Sequence, residues 1–301
     1  MGTVLITGGT GFVGSALVNR MGHRGRTLST RSKPDKWTGA LQGIECVVHL
    51  AARVHIMENA AAADTLAEFR RINVEDTLNL ARQAVLAGVR RFVFISSIKV
   101  NGESTRKGQP FTDADFPCPV DAYAISKYEA ECGLRELSAQ SAMEVVIIRP
   151  PLVYGPGVKA NFLTMVRWLR RGVPLPLGAI HNARSLVALD NLVDLICTCI
   201  DHPAAANQIL LVSDGHDVST TELLRQMASA MGREARLVPA PQWIVEAGVS
   251  LFGGKELARR LCGSLQIDIS KTRELLQWTP PLSLDEGLRR VMQVDGQKYG
   301  D

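Results

Sequence analysis

The sequence predicts an α/β fold: a doubly wound parallel sheet of the Rossmann type, with a smaller C-terminal lobe beside it. Three observations carry this. An apolar run at residues 3–7 enters a glycine-rich turn and then a helical pattern at residues 12–21. Apolar runs of strand length recur at 46–51, 91–96 and 144–149, separated by segments of helical periodicity, as buried parallel strands should be. After Pro150-Pro151 that rhythm gives way to turns and amphipathic helices.

Taken in order, residues 3–7 are a strand, 12–21 a helix and 26–30 a second strand. The run Cys46 to Ala51 is bounded by Gly43 and Arg53 and reads as the next buried strand. A long helix should follow. Thr65 and Glu68 have the capping-box spacing, Leu78, Ala81 and Val85 keep one face apolar, and Gly88 is a natural stop. Residues 91–96 form a strand, the Gly- and Pro-rich stretch 101–120 a surface loop, 121–140 a helix and 144–149 a strand. Strands alternating with helices at this spacing imply right-handed crossovers. Residues 161–171 read as a basic amphipathic helix, and 173–178 as extended, since each proline disfavours helix before it. Residues 190–200 and 209–213 return a helix and a strand to the sheet. The expected partition is therefore 1–150 with 187–213 as one domain and the rest of 151–301 as the second lobe.

Glycines 8, 11 and 14 have distinct mechanical roles. Gly8 allows the tight turn off the strand, Gly11 lets backbone approach a pyrophosphate, and Gly14 lets the helix pack closely. A phosphate there meets unpaired amides and the positive end of the helix dipole. The second strand runs Leu28-Ser29-Thr30-Arg31, with no carboxylate before Asp35 to bond a ribose hydroxyl. Serine, threonine and Arg31 at that edge suit a 2′-phosphate, which favours NADP while leaving NAD open.

Tyr123 and Lys127, spaced i, i+4, face one side of one helix. A free phenol, with a pKa of about 10, is a poor base at neutral pH. A nearby ammonium should lower that value. The pair would then exchange a proton at a carbinol carbon while a nicotinamide exchanges hydride. Ser96 and Ser97 end the 91–96 strand, where open α/β sheets hold ligands and where a hydroxyl would polarise a carbonyl.

The bulk composition excludes other classes. A formal charge of +4 over 301 residues, with no basic run, gives nucleic-acid binding no support. No apolar stretch is long enough to span a bilayer, so no membrane insertion is expected and the cytoplasm is the expected compartment. The cysteines (46, 118, 132, 197, 199 and 262) lack disulfide or metal spacing, and no metal is expected.

Read together, Thr7-Gly-Gly-Thr-Gly-Phe-Val-Gly14, His49-Leu-Ala-Ala52, Asn73, Ser96-Ser97, Tyr123-x-x-x-Lys127, Arg149-Pro150 and Val153-Tyr-Gly-Pro156 resemble an extended short-chain dehydrogenase/reductase, in its nucleotide-sugar epimerase/dehydratase/reductase branch. The resemblance covers nearly the whole chain and implies a homodimer with a UDP-sugar bound between lobes. It makes Ser97, Tyr123 and Lys127 the catalytic set. It places the cofactor against Gly8, Thr10, Gly11, Phe12, Val13, Gly14, Arg31, Leu50, Ala51, Ala52, Ser96, Pro150 and Val153, besides Tyr123 and Lys127. For the substrate it implies Ser97, Lys99, Asn161, Leu175, Arg184 and Arg260, although the sequence alone gives Lys99 no derivable role.

The resemblance also narrows the reaction. Related 4,6-dehydratases carry an Asp-Glu pair just after the triad hydroxyl, where this chain has Ile98-Lys99. Residues 97–102, Arg53-Val-His55 and residues 261–268 are similar to reductases of UDP-4-keto-6-deoxy-N-acetylhexosamines, which feed bacterial surface polysaccharide such as O-antigen. A 4-keto reductase is thus the leading expectation. A UDP-sugar 4-epimerase is the alternative, and a non-catalytic dinucleotide sensor a third. Relatives also fit a helix and a further strand between the second strand and Cys46, where this chain has only residues 31–44 and so lacks or truncates that piece.

Overall fold

A computed structural model describes residues 2–29, 35–54, 62–158 and 161–298. Its centre is a six-stranded parallel sheet in the order β2-β1-β3-β4-β5-β8. The strands are β1 (Thr3–Thr7), β2 (Gly25–Leu28), β3 (Ile44–His49), β4 (Arg91–Ile95), β5 (Glu144–Arg149) and β8 (Ile209–Leu211). The helices around it are α1 (Phe12–Met21), α2 (Asp35–Ala40), α3 (Ala62–Phe69), α4 (Asp76–Leu86), α5 (Ala122–Ala139) and α7 (Leu189–Asp201).

The continuous apolar strands follow from burial on both faces. Val4, Ile6, Cys46, Val48, Val93, Ile95, Val146 and Ile148 point to one side, where α1 and α7 supply Leu17, Leu192, Leu195 and Ile196. Leu5, Val47, Phe92, Phe94, Val145 and Ile147 point to the other, against Leu80, Ala81, Ala84, Ala130 and Leu134 of α4 and α5. This period-two alternation with both faces covered is what doubly wound packing requires. β2 is the sheet edge, and no strand lies beyond it among the described residues. The short α2 fills the truncated connection, with Trp37 and the following Leu41 fully buried against the sheet.

Two local expectations change. The helix before Gly88 begins at Ala62, so Thr65 lies inside it rather than at its cap. Ala62 and Ala63, strong helix formers, carry the helix past the capping-box signal. The helix is also not continuous, because a π-helical turn at Arg70–Glu75 separates α3 from α4. Gly88, with φ of 75°, does end it.

A smaller three-stranded sheet, β6 (Leu152–Tyr154), β7 (Arg184–Ala188) and β9 (Asp217–Val218), lies beside the main one. The sequence reading did not foresee it. With α6 (Asn161–Arg170), α8 (Thr220–Ala230), α9 (Gln242–Cys262), α10 (Ser270–Leu276) and α11 (Leu284–Lys298) it makes up most of the second half. Tyr154, Phe162, Leu169, Leu186, Leu224 and Leu288 build a separate apolar cluster there. The 101–120 loop is tied to this half: Phe111 N donates to Gln266 O at 2.8 Å and Asp268 N to Phe111 O at 2.9 Å.

Candidate active site

The glycine turn joins β1 to α1 with little tolerance for side chains. Gly8 has φ of 70°, and a Cβ there would lie 2.7 Å from Ala51 N. At Gly14 a Cβ would lie 2.1 Å from Gly8 O, so helix and turn pack backbone to backbone. Leu50 and Ala51 are drawn in by the same strand ends: Leu50 N donates to Thr7 O and Ala51 N to Thr7 Oγ1, each at 3.3 Å. Gly11 occupies the N-cap of α1 and no side chain caps the helix. The first helical bond of the turn is Ser15 N to Gly11 O, leaving the amides of Phe12, Val13 and Gly14 ahead of it. Cradle and uncapped helix end suit a dinucleotide's pyrophosphate. Thr10, Gly11 and Phe12 also line a cleft of about 530 Å³ together with Ser15, Pro156 and Asp190. Arg31 lies outside the described residues, and so does the side chain of Asn161.

His49 illustrates how the strand ends are fixed. Its ring is held between Thr7 Oγ1 at 2.8 Å and Thr77 Oγ1 at 2.9 Å, stacked on Phe94. Burial and the Lys127 charge push its pKa down to about 3, so it stays neutral and serves as a strut.

Ser96 and Ser97 follow β4, and Ser96 N donates to Ile148 O at 2.8 Å. Pro150 receives Ile98 N at 3.0 Å, and Val153 sits in β6 against the core. Ser97 caps a short 3₁₀ turn, its Oγ accepting from Lys99 N at 3.3 Å. Opposite, α5 starts at an N-cap, Asp121, whose carboxylate accepts Ala124 N at 2.6 Å and pairs with Lys99. Lys99 also lies 3.6 Å from Glu103. Lys99 therefore links the 3₁₀ turn after Ser97 to the start of the helix that carries Tyr123. Asp121 and Glu103 were not singled out in the sequence. Asp121 had a signal, as an N-cap residue before a helix.

Tyr123 packs edge-on against Phe69, with ring centroids 6.1 Å apart. The π-turn places Asn73 beside it. Asn73 Nδ2 donates to Ser126 Oγ at 3.0 Å and to Arg53 O at 3.1 Å, and Ser126 Oγ donates to Tyr123 O at 2.7 Å. Such an insertion of one extra residue per turn is common where a side chain must be aimed. Lys127 lies over the Phe94 ring, Nζ 4.0 Å from its centroid. No hydrogen bond joins Tyr123 and Lys127.

The electrostatics correct one expectation. The Tyr123 phenol is raised, first by burial and then by the Asp121 carboxylate, rather than lowered by Lys127. In this dry setting burial penalises the phenolate, and the nearby carboxylate adds to the penalty. Lys127 is itself brought down to about 7 by burial, with Glu131 acting in the opposite sense. The resting site thus holds a protonated phenol beside an amine poised near neutrality.

Below these groups runs a buried network that the sequence reading missed. Glu131, one turn beyond Lys127, accepts the Ser96 hydroxyl and grips Arg149 twice, at 3.0 and 2.5 Å. Arg149 also donates to Asn101 Oδ1 at 2.9 Å. The signal was present as Lys127-x-x-x-Glu131, a second i, i+4 step on the same helix.

Of the substrate-side residues, Arg184 opens β7 and donates to Gly263 O at 3.0 Å. Burial, together with the like charge of Arg260, pushes its pKa down to about 10. Arg260 thus acts on Arg184 through its charge. Leu175 is buried, its amide donating to Arg236 O at 2.9 Å.

Residues 4–212 match the family described as NAD dependent epimerase/dehydratase family. The chain is 47% identical over 312 positions, covering 97% of it and 95% of the relative, to a UDP-glucose 4-epimerase of Vibrio cholerae. That relative is an epimerase, not the 4-keto reductase that the sequence reading placed first. Among solved structures, RMD of Pseudomonas aeruginosa complexed with NADPH has a TM-score of 0.77 at 21% identity, covering 98% of this chain and 99% of that one. The UDP-glucose 4-epimerase of Thermotoga maritima with UDP-glucose has a TM-score of 0.76 at 21% identity, with the same coverages. At these identities the likeness shows the fold.

Proposed function

The chain belongs to the NAD dependent epimerase/dehydratase family, and from that premise we propose that it is a UDP-sugar 4-epimerase of the UDP-glucose or UDP-N-acetylglucosamine type. The observation that carries this reading is the near full-length 47% identity to an enzyme of that name. It reverses the order of the two reactions set out from the sequence.

Gly11, Phe12 and Val13, backed by Gly8, Thr10 and Gly14, would hold the pyrophosphate of a dinucleotide, and Leu50, Ala51, Ala52, Ser96, Pro150 and Val153 would hold the rest of it. When bound, it supplies reversible hydride exchange at the sugar C4. Tyr123 holds or releases the proton of the C4 oxygen, and its raised phenol makes it a proton donor to a C4 ketone at neutral pH. Ser97 donates to the same oxygen from the end of β4. Lys127 sets the charge around Tyr123. Arg184 and Arg260 take the diphosphate bidentately. The nucleotide-binding half, 1–150 with 187–213, and the substrate-binding half, the rest of 151–301, close on either side, in a homodimer.

One observation favours the reductase reading as a second. The β2 edge carries Ser29 and no carboxylate before Asp35, which suits a 2′-phosphate and hence an exchangeable NADPH.

The test incubates the purified protein with UDP-glucose or UDP-N-acetylglucosamine without added cofactor and follows the C4 epimer by anion-exchange chromatography. Interconversion is expected, and Tyr123→Phe should lower it by about 10²–10⁴-fold with dinucleotide binding retained. Stoichiometric NADPH consumption with a UDP-4-keto-6-deoxy-N-acetylhexosamine, and no interconversion, would move the assignment to the reductase. Neither reaction from a folded, dinucleotide-binding protein would leave only the sensor.

A further inference from the structure

The exposed side chains of α6, α9 and residues 171–178 and 231–241 have two properties. The first is apolar exposure. The first half of α9 carries apolar side chains on two sides: Val245 and Val249 pack inward on the Tyr154–Leu288 cluster. Trp243, Ile244 and Leu251 point outward, 70%, 45% and 81% exposed. Val238 and Val173 are exposed as well, at 50% and 41%. They are neighbours in space, since Leu175 N donates to Arg236 O at 2.9 Å and Val238 N to Leu175 O at 2.8 Å. The second property is charge. Arg167, Arg171, Arg233 and Arg236 are exposed on these same segments. None has a carboxylate partner among the described residues; Arg233 donates to Arg170 O at 2.7 Å. Across residues 161–178 and 231–262 the carboxylates are Glu234, Glu246 and Glu256 against seven arginines, so arginine prevails.

We propose that this face docks the protein on an anionic phospholipid bilayer. Trp243, Ile244 and Leu251 sit at the boundary of headgroups and acyl chains, and the arginines lie on the lipid phosphates. A helix that is apolar on its outer as well as its inner face needs a second cover. Tryptophan favours the boundary between water and hydrocarbon, and arginines beside apolar side chains suit anionic headgroups. A second copy of the same face is a poor cover, because a two-fold contact would bring like charges together. The geometry also links docking to the site: the chain kinks at Gly254, φ 79° and ψ 159°, and the helix then runs to Arg259 and Arg260. The docked end and the proposed diphosphate contact are two parts of one element. The inference goes beyond the epimerase reading and does not require it.

Sedimentation of the full chain with vesicles tests this, comparing phosphatidylcholine alone with an equimolar mixture of phosphatidylcholine and phosphatidylglycerol. Binding to the mixture at low salt, weakened by added salt, is expected. The double variant Trp243→Ser, Leu251→Ser should lower partitioning by about tenfold or more. Arg167→Gln and Arg236→Gln should each lower it by about fivefold. Turnover of soluble nucleotide sugar should stay unchanged in all of them, which separates this proposal from the assignment of the reaction. If the double variant misfolds, Trp243→Phe should keep vesicle binding and remove a lipid-induced blue shift in tryptophan emission. A wild-type chain that stays in the supernatant, or folded variants that sediment as well as wild type, would overturn the proposal. So would light scattering showing that the double variant only dissociates an oligomer.

Discussion

Lys127 and Arg149 each expose 2% of their surface, yet their surroundings are opposite in kind. Arg149 is held by Glu131 through two nitrogens and by Asn101 through a third. Lys127 rests on the Phe94 ring, and Glu131 reaches it only through space. A buried cation with complete partners is fixed in charge and position. One left on an aromatic face has its pKa moved into the working range. The paired region thus acts as foundation and the unpaired one as reagent, on the same helix and the same strand ends.

The sharpest way to break this comparison is Glu131→Gln. It leaves the Arg149 guanidinium buried without a counter-charge, and the loss should be about 3–5 kcal/mol by urea unfolding. Lys127 should lose its proton at a lower pH than in the wild type, since Glu131 is the influence that raises it. A loss below about 1 kcal/mol would mean the pocket is wet enough to solvate Arg149, and the contrast with Lys127 would disappear.

How much of this was legible in the sequence depends on the range of the interactions. The glycine turn is local, and each glycine's steric role could be read from its place between strand and helix. The runs at 46–51, 91–96 and 144–149 were legible because burial on both faces leaves no polar phase. The π-turn was not. It rests on Asn73 bonding Arg53 and Ser126, residues remote in sequence and joined only by folding. β7 was seen only as a motif around Arg184, because its antiparallel partner β9 spans two residues. Arg149 and Ser96 were each noticed, but the carboxylate that joins them was not. The sense of the Tyr123 shift was misjudged for a related reason. Spacing reveals the neighbouring ammonium, whereas the burial that outweighs it comes from residues such as Phe69 on another helix.

Lys127→Met is the next test, and it should separate stability from activity. The unfolded chain keeps the lysine proton up to its ordinary value of 10.5, whereas the folded chain releases it near 7. Between those values unfolding takes up a proton, so this group's contribution to stability rises with pH and is lost as pH falls towards 7. Methionine occupies similar volume without the charge. The variant should be more stable than wild type at pH 7 by about 1–4 kcal/mol, with the gap closing as pH approaches 10. Turnover should fall by about 10²–10⁴-fold. Thermal unfolding from pH 6 to 10 measures the first and sugar epimer formation the second. Equal pH slopes for the two proteins would show that Lys127 is solvated or paired.

Arg184 extends the comparison to the second half of the chain, with a smaller expected effect. Like Lys127 it is a cation drawn down by burial, to about 10, and its like-charged neighbour Arg260 adds to the shift. Its hydrogen bond to Gly263 O is a single contact that leaves most of the guanidinium fork uncommitted. Two neighbouring guanidiniums repel, and a diphosphate would turn that repulsion into binding. Arg184→Met should therefore raise KM for the UDP-sugar by about 10–100-fold, the worth of one or two charge-assisted hydrogen bonds, and leave kcat within a few-fold. Arg184→Lys should not restore it, because an ammonium cannot span two phosphate oxygens. Unfolding stability should change little, since the lost bond to Gly263 is offset by relief of the charge repulsion. A large stability loss with KM unchanged would place Arg184 with Arg149, as a strut that ties β7 to the end of α9.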